Sequence, residues 1–121
     1  MANAVYGGAR GGQHVAGEVY IMYNRPNIIK IGCTKRTSRT RLEEIKKEKG
    51  LPNLELWEYF EAEDMGAAET LAHQAVMTNL GLIRVMHTVD WFTVPARVTR
   101  TDIIHEVGTA VNMSNGAVRR R

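Results

Sequence analysis

Near the start of the chain two stretches, GEVYIMY (17–23) and IIKIGC (28–33), place apolar side chains at alternate positions. Both are rich in β-branched and aromatic residues. The run between them, Asn24-Arg25-Pro26-Asn27, has the composition of a turn, so the pair predicts a β-hairpin. Because strand side chains alternate between faces, the apolar pattern also selects a register. A four-residue loop (24–27) would set Ile21 against Lys30 and drop a charge among apolar groups. A five-residue loop (24–28) pairs Tyr23 with Ile29, Ile21 with Ile31 and Val19 with Cys33, which keeps one face wholly apolar. On the opposite face Tyr20 then stands across from bare Gly32, with Lys30 diagonally adjacent.

Farther along, Thr37 or Ser38 is placed to cap a helix running to about Lys49 and ended by Gly50 and Pro52. Residues 54–62 (LELWEYFEA) alternate as a third strand. Asp64 is placed to cap a second helix over about 65–80 that buries Ala68, Leu71, Ala72 and Val76, with Gly81 closing it. A short last strand is expected within 89–94 (VDWFTV), and a third helix near 98–111. The expectation is an α/β (α+β) domain with a small, mainly antiparallel sheet of three to four strands flanked by helices, in the order β-β-α-β-α-β-α. Residues 1–16, Gly-rich and without apolar periodicity, are expected to form a flexible leader, 17–112 the domain, and 113–121 a basic tail. The opening of a helix-turn-helix is the alternative for that last segment.

Composition narrows the class. A chain of 121 residues with 44% apolar content is sized for one domain with a real core. The lone cysteine, Cys33, excludes an internal disulfide or a Cys-rich zinc site and fits a reducing, cytoplasmic setting. No apolar stretch approaches the roughly 20 residues of a membrane span. The net charge of +3 is matched by the three terminal arginines alone, so distribution matters more than the total. Eight bases against Glu43, Glu44 and Glu48 fall between Lys30 and Lys49, whereas 55–64 carries five acids and no base. Such polarity can orient a domain on a polyanion.

Two features carry candidate chemistry. Lys35, Arg36, Arg39 and Arg41 crowd the start of the first helix, where the helix dipole favours anions and disfavours cations. Either the loop is a solvated basic surface, or a phosphate completes it. Glu69 sits at the edge of the second helix's buried stripe, with His73 four residues on. Glu-x-x-x-His on one helical edge can set a carboxylate and an imidazole beside a divalent cation. The same spacing also describes a boundary glutamate next to a partly buried histidine. Trp91 and Phe92 read as core, and Cys33 as a small buried hydrophobe.

Tyr20, the Lys30-Ile31-Gly32 run with Thr34, Arg41, Glu69 followed by His73, and Asp90-Trp91-Phe92 occur in the order seen in the GIY-YIG endonuclease superfamily. Over about 17–95 the chain resembles its phage and bacterial branch, in which KIG replaces YIG. That resemblance implies metal-dependent phosphodiester hydrolysis, with catalytic positions at Tyr20, Lys30, Arg41, Glu69 and His73. It implies that Tyr20 positions or deprotonates the attacking water and that Arg41 stabilises charge on the phosphate. Glu69 would be the metal ligand for a single divalent cation, Mg²⁺ or Mn²⁺. Nucleic acid, DNA favoured over RNA, would contact Gly32, Lys35, Arg36 and Arg39, with no membrane involved; the oligomeric state is left open. An inactive nucleic-acid-binding module and a protein-interaction domain stand as alternatives.

Overall fold

The computed structural model describes residues 14–120, so most of the expected leader lies outside the described residues. In chain order the elements are β1 (Gly17–Asn24), β2 (Ile28–Thr34), α1 (Ser38–Lys49), β3 (Glu55–Ala62), α2 (Met65–Leu80), β4 (Ile83–Arg84), β5 (Trp91–Thr93) and α3 (Arg100–Arg119). They form a five-stranded sheet in the order β3-β1-β2-β5-β4, with every neighbouring pair antiparallel. The fold is therefore α+β with one strand more than the apolar pattern predicts. That extra strand, β4, is two exposed residues long, too short for alternation to reveal it. No helix among the described residues is long and apolar enough to cross a membrane.

The hairpin has the five-residue-loop register: Tyr23 faces Ile29, Ile21 faces Ile31, Val19 faces Cys33 and Tyr20 faces Gly32. Val19, Ile21, Ile29 and Ile31 consequently share one face, which α2 and α3 cover with Ala68, Ala72, Val76, Ile103, Val107 and Val111. The opposite face is also covered. Tyr20 and Met22 pack there against Leu42 and Ile45 of α1 and against Leu54. α1 offers only Leu42 and Ile45 to this cluster, and Leu51, Leu54, Leu56 and Trp91 complete it. Two layers of helix around the sheet thus bury both sides of β1 and β2, and Tyr20 lies inside the protein.

Local chemistry sets the helix ends. Thr37 caps α1 by accepting from the Thr40 N–H at 3.1 Å, and Asp64 caps α2 by accepting from Ala67 N–H at 3.1 Å. Gly50 and Gly81 close these helices in the left-handed conformation that glycine tolerates. α3 begins with a capping box between Thr99 and Asp102.

The end of α3 differs from the sequence reading. Neither a tail nor a helix break follows residue 112, and the helix runs unbroken to Arg119. Its reason is polar. The buried Asn115 accepts from Glu63 N–H at 2.9 Å and donates to Glu61 C=O at 3.2 Å, completing the backbone at the end of β3. Arg119 adds an exposed ion pair to Glu63 at 2.7 Å.

Candidate active site

Past the end of β5, the strand β2 brings several polar groups together. Tyr20 is 2% exposed, and its ring lies directly over Gly32: a Cβ at position 32 would stand 2.5 Å from the hydroxyl oxygen. Glycine is required there by close approach. Arg41, on the second turn of α1, lies beside that hydroxyl and is held by Glu44 at 3.0 Å and Glu48 at 3.6 Å. Burial pushes the phenol well above its ordinary range, and the charge and hydrogen bond of Arg41 pull against that shift.

On the other side of the sheet, α2 supplies Glu69, which is 7% exposed. One carboxylate oxygen accepts from the Cys33 thiol at 3.2 Å, and the other lies 3.5 Å from His73 Nε2. Burial raises the Glu69 carboxyl to about 7; the Cys33 thiol and Lys30 act against the rise, and Asp90 adds to it. Burial, with Glu69 beside it, also pushes the Cys33 thiol up, so the sulfur stays protonated and serves as a donor. The charge of Glu69 is also felt at Tyr20, which joins the two halves of the group electrostatically.

Three expectations change here. His73 does not face a reacting group. It is buried edge-on against Phe92, hydrogen-bonded through Nε2 to Ile31 C=O at 2.7 Å, and burial holds it below its usual range. An imidazole donating to the backbone of β2 braces Glu69 and the strand. Lys30 does share the face of Tyr20, but its ammonium is bound to Asp90 and lies 5.4 Å from the centre of the Trp91 ring. The cation beside Tyr20 is Arg41. Asp90 stands in the sequence motif without a role, and the structure gives it one as the partner of Lys30.

The third change concerns the basic start of α1. Lys35 and Arg39 are exposed without an ion pair among the described residues, while Arg36 is held by Glu44 at 2.6 Å. The helix terminus itself already has its anion. Glu18, brought alongside by the hairpin, accepts from Ser38 N–H at 2.7 Å and Ser38 Oγ at 2.6 Å. A carboxylate twenty residues back in sequence occupies the place proposed for phosphate, leaving Lys35 and Arg39 as surface cations.

A wider cleft of about 770 Å³ opens between Lys35, Arg36, Glu18, Glu61 and Arg119 and includes none of Tyr20, Lys30, Arg41 or Glu69. Several of its charges neutralise one another or neighbouring groups, as in Arg119–Glu63 and Arg36–Glu44. The Tyr20 group differs in leaving buried charge incompletely compensated, which makes it the stronger candidate site. Among the described residues no cluster of three or more His, Cys, Asp and Glu side chains is placed to hold a metal ion.

The sheet and its helices define an α+β module, and the family match places it in a nuclease-like or nucleic-acid-interacting class. A family model described as the T5orf172 domain matches residues 17–111. The chain belongs to that family, a phage-associated domain of the nuclease-related group. Comparison with curated proteins and with solved structures gave no match.

Proposed function

We propose that this domain is a divalent-cation-dependent endonuclease of the GIY-YIG type, hydrolysing nucleic-acid phosphodiesters with DNA as the favoured substrate. One observation carries the reading: a phenol hydroxyl with a guanidinium beside it lies over Gly32 on one face of β2, and a buried carboxylate close enough to influence that phenol lies behind the strand. Hydrolysis needs a positioned water, stabilisation of charge on phosphorus and help for the leaving oxygen. Tyr20 supplies a hydroxyl held protonated, suited to orienting water by hydrogen bonding. Arg41, anchored by Glu44 and Glu48, supplies a fork for the phosphate oxygens. Glu69 fits a hard cation as its single protein ligand, because its carboxylate is desolvated and its contacts are a neutral thiol and a neutral imidazole. When bound there, Mg²⁺ or Mn²⁺ would neutralise charge on the leaving oxygen.

The test is incubation with plasmid, single-stranded DNA and RNA, with Mg²⁺ or Mn²⁺ and separately with chelator. Cleavage that needs the cation and disappears in Glu69→Gln supports the proposal. Absence of cleavage under every condition overturns it. Steep salt-dependent binding without cleavage would select the second reading, an inactive nucleic-acid-binding module. The depth of Tyr20 and its raised phenol favour that second reading.

A further inference from the structure

At the turn end of the hairpin, next to the C-terminal end of α1, lies an open cleft of about 390 Å³. Its walls are Ile28, Leu51, Val85 and Trp91, and its rim carries Asn24 and Lys49. Neither rim side chain has a hydrogen bond or ion pair among the described residues. Trp91 is the link toward the site, for its ring lies 5.4 Å from the Lys30 ammonium, which the adjacent Asp90 binds.

One wall is a loop built to hold its shape. Val85 N–H donates to Trp91 C=O at 2.9 Å, Thr88 Oγ1 donates to Val85 C=O at 2.7 Å, and Arg84 Nε donates to Val89 C=O at 2.7 Å. With these backbone groups satisfied internally, the loop turns Met86, 79% exposed, and Val89 to solvent. His87 at its tip has φ 66°, a left-handed backbone that a non-glycine residue adopts at a cost. A rigid loop with outward apolar groups is preorganised for contact.

We infer that this cleft is a nucleobase subsite, which takes one unstacked base of the substrate strand against Trp91 with its edge at Asn24. The occupant follows from the chemistry of the walls. An aromatic face flanked by aliphatic side chains suits a flat π-system, the Asn24 amide offers both a donor and an acceptor to a base edge, and Lys49 suits the attached phosphate. Arg41 stands eight residues before Lys49 on α1, about 12 Å along the helix at about 1.5 Å per residue, which suits a phosphodiester one or two nucleotides from the bound base. The inference rests on the endonuclease reading only in taking nucleic acid as the substrate.

The chain has two tryptophans, Trp57 and Trp91, so Trp57→Phe leaves Trp91 as the sole reporter while keeping an aromatic ring against Tyr23. The full chain carrying that change is titrated in chelator, where cutting is prevented. The probes are an end-labelled mixed-sequence single-stranded DNA, its RNA counterpart, and a DNA of equal length whose central sugars lack bases. Base-carrying strands should quench Trp91 emission saturably. The abasic strand should bind about five- to a hundred-fold more weakly and leave the emission unchanged. Asn24→Ala should weaken binding of the base-carrying strands alone. Unchanged Trp91 emission on binding, or equal affinity for basic and abasic strands, overturns the subsite while the endonuclease reading stands. If none of the three strands binds, both fall.

Discussion

Tyr20 and Gly32 are complementary halves of one contact, for the tyrosine ring fills the space that any side chain at position 32 would need. A methyl group at Gly32 would meet the Tyr20 hydroxyl oxygen at 2.5 Å and its ring carbon Cζ at 2.6 Å. The ring is 2% exposed and packed under α1, so it has little room to retreat. Gly32→Ala should therefore lower stability by about 1–3 kcal/mol, the usual cost of forcing a methyl into a full core. Urea unfolding checks it. In a Tyr20→Ala background the same change should cost much less, since the clash has gone. Equal costs in both backgrounds would show that the two residues do not constrain each other.

Glu69 makes a pH-dependent prediction. Its carboxyl rises from 4.5 to about 7 on folding, chiefly through burial, so the folded state prefers the protonated form. The stability linked to that preference is fully present below about pH 4.5. It is lost as pH climbs to about 7, and the loss amounts to about 3 kcal/mol. Glu69→Gln keeps the neutral shape and has no such titration. The stability advantage of the variant over the wild type should grow across that window and level off above it. Parallel stability curves for the two proteins would show that the carboxylate is not desolvated as the structure places it.

Lys30 and Arg41 separate by kinetics. Because Arg41 lies beside the phenol and Lys30 is taken up by Asp90, Arg41→Met should lower kcat for cleavage far more than Lys30→Met does. Lys30→Met should still lower stability, as it leaves Asp90 without its partner. A larger loss of kcat in Lys30→Met than in Arg41→Met would reverse the assignment.

How much of this was legible in the chain follows from the kind of signal involved. The hairpin register came from alternation, because one slip would have put Lys30 in the core. The caps Thr37 and Asp64 and the stops Gly50 and Gly81 are local chemistry, readable from single residues. What stayed hidden depends on residues far apart in sequence. Glu18 reaches the start of α1 only because β1 and β2 pair, and Asp90 reaches Lys30 only because β5 joins β2. His73 has the spacing of a metal or proton-transfer residue, yet its partner is the carbonyl of Ile31, and no side-chain pattern encodes a backbone acceptor. β4 is too short to show a period at all.

Glu18 gives a test of how the basic end of α1 works. Its carboxylate accepts two hydrogen bonds from Ser38, so Glu18→Ala should remove a helix-terminal anion and cost about 1 kcal/mol. The emptied terminus should then accept inorganic phosphate, whose stabilising effect on melting should be larger for the variant than for the wild type. Nucleic-acid affinity should depend instead on Lys35 and Arg39. If each neutralises one phosphate of duplex DNA, replacing both should lower the log–log salt slope by about 1.8. An unchanged slope would remove these two cations from the interface.

The C-terminal half of α3 supplies the last prediction. Asn115 is buried and satisfies one donor and one acceptor at the end of β3, where Glu63 N–H and Glu61 C=O have no strand neighbour to take them. Asn115→Ala leaves both groups without a partner, and an unsatisfied buried polar group costs about 1–3 kcal/mol, so a loss of at least about 2 kcal/mol is expected. Arg119→Ala removes only an exposed ion pair and should change stability by at most about 1 kcal/mol. Deleting residues 113–121 removes Asn115 with the helix around it and should therefore destabilise at least as much as Asn115→Ala. Chemical denaturation of the three variants ranks them. If the deletion is as stable as the full chain, this segment is a dispensable tail and the hydrogen bonds of Asn115 do not hold the end of β3. If Asn115→Ala and the deletion both fall well below Arg119→Ala, the helix end anchors the strand that borders β1, and through it the seat of Tyr20.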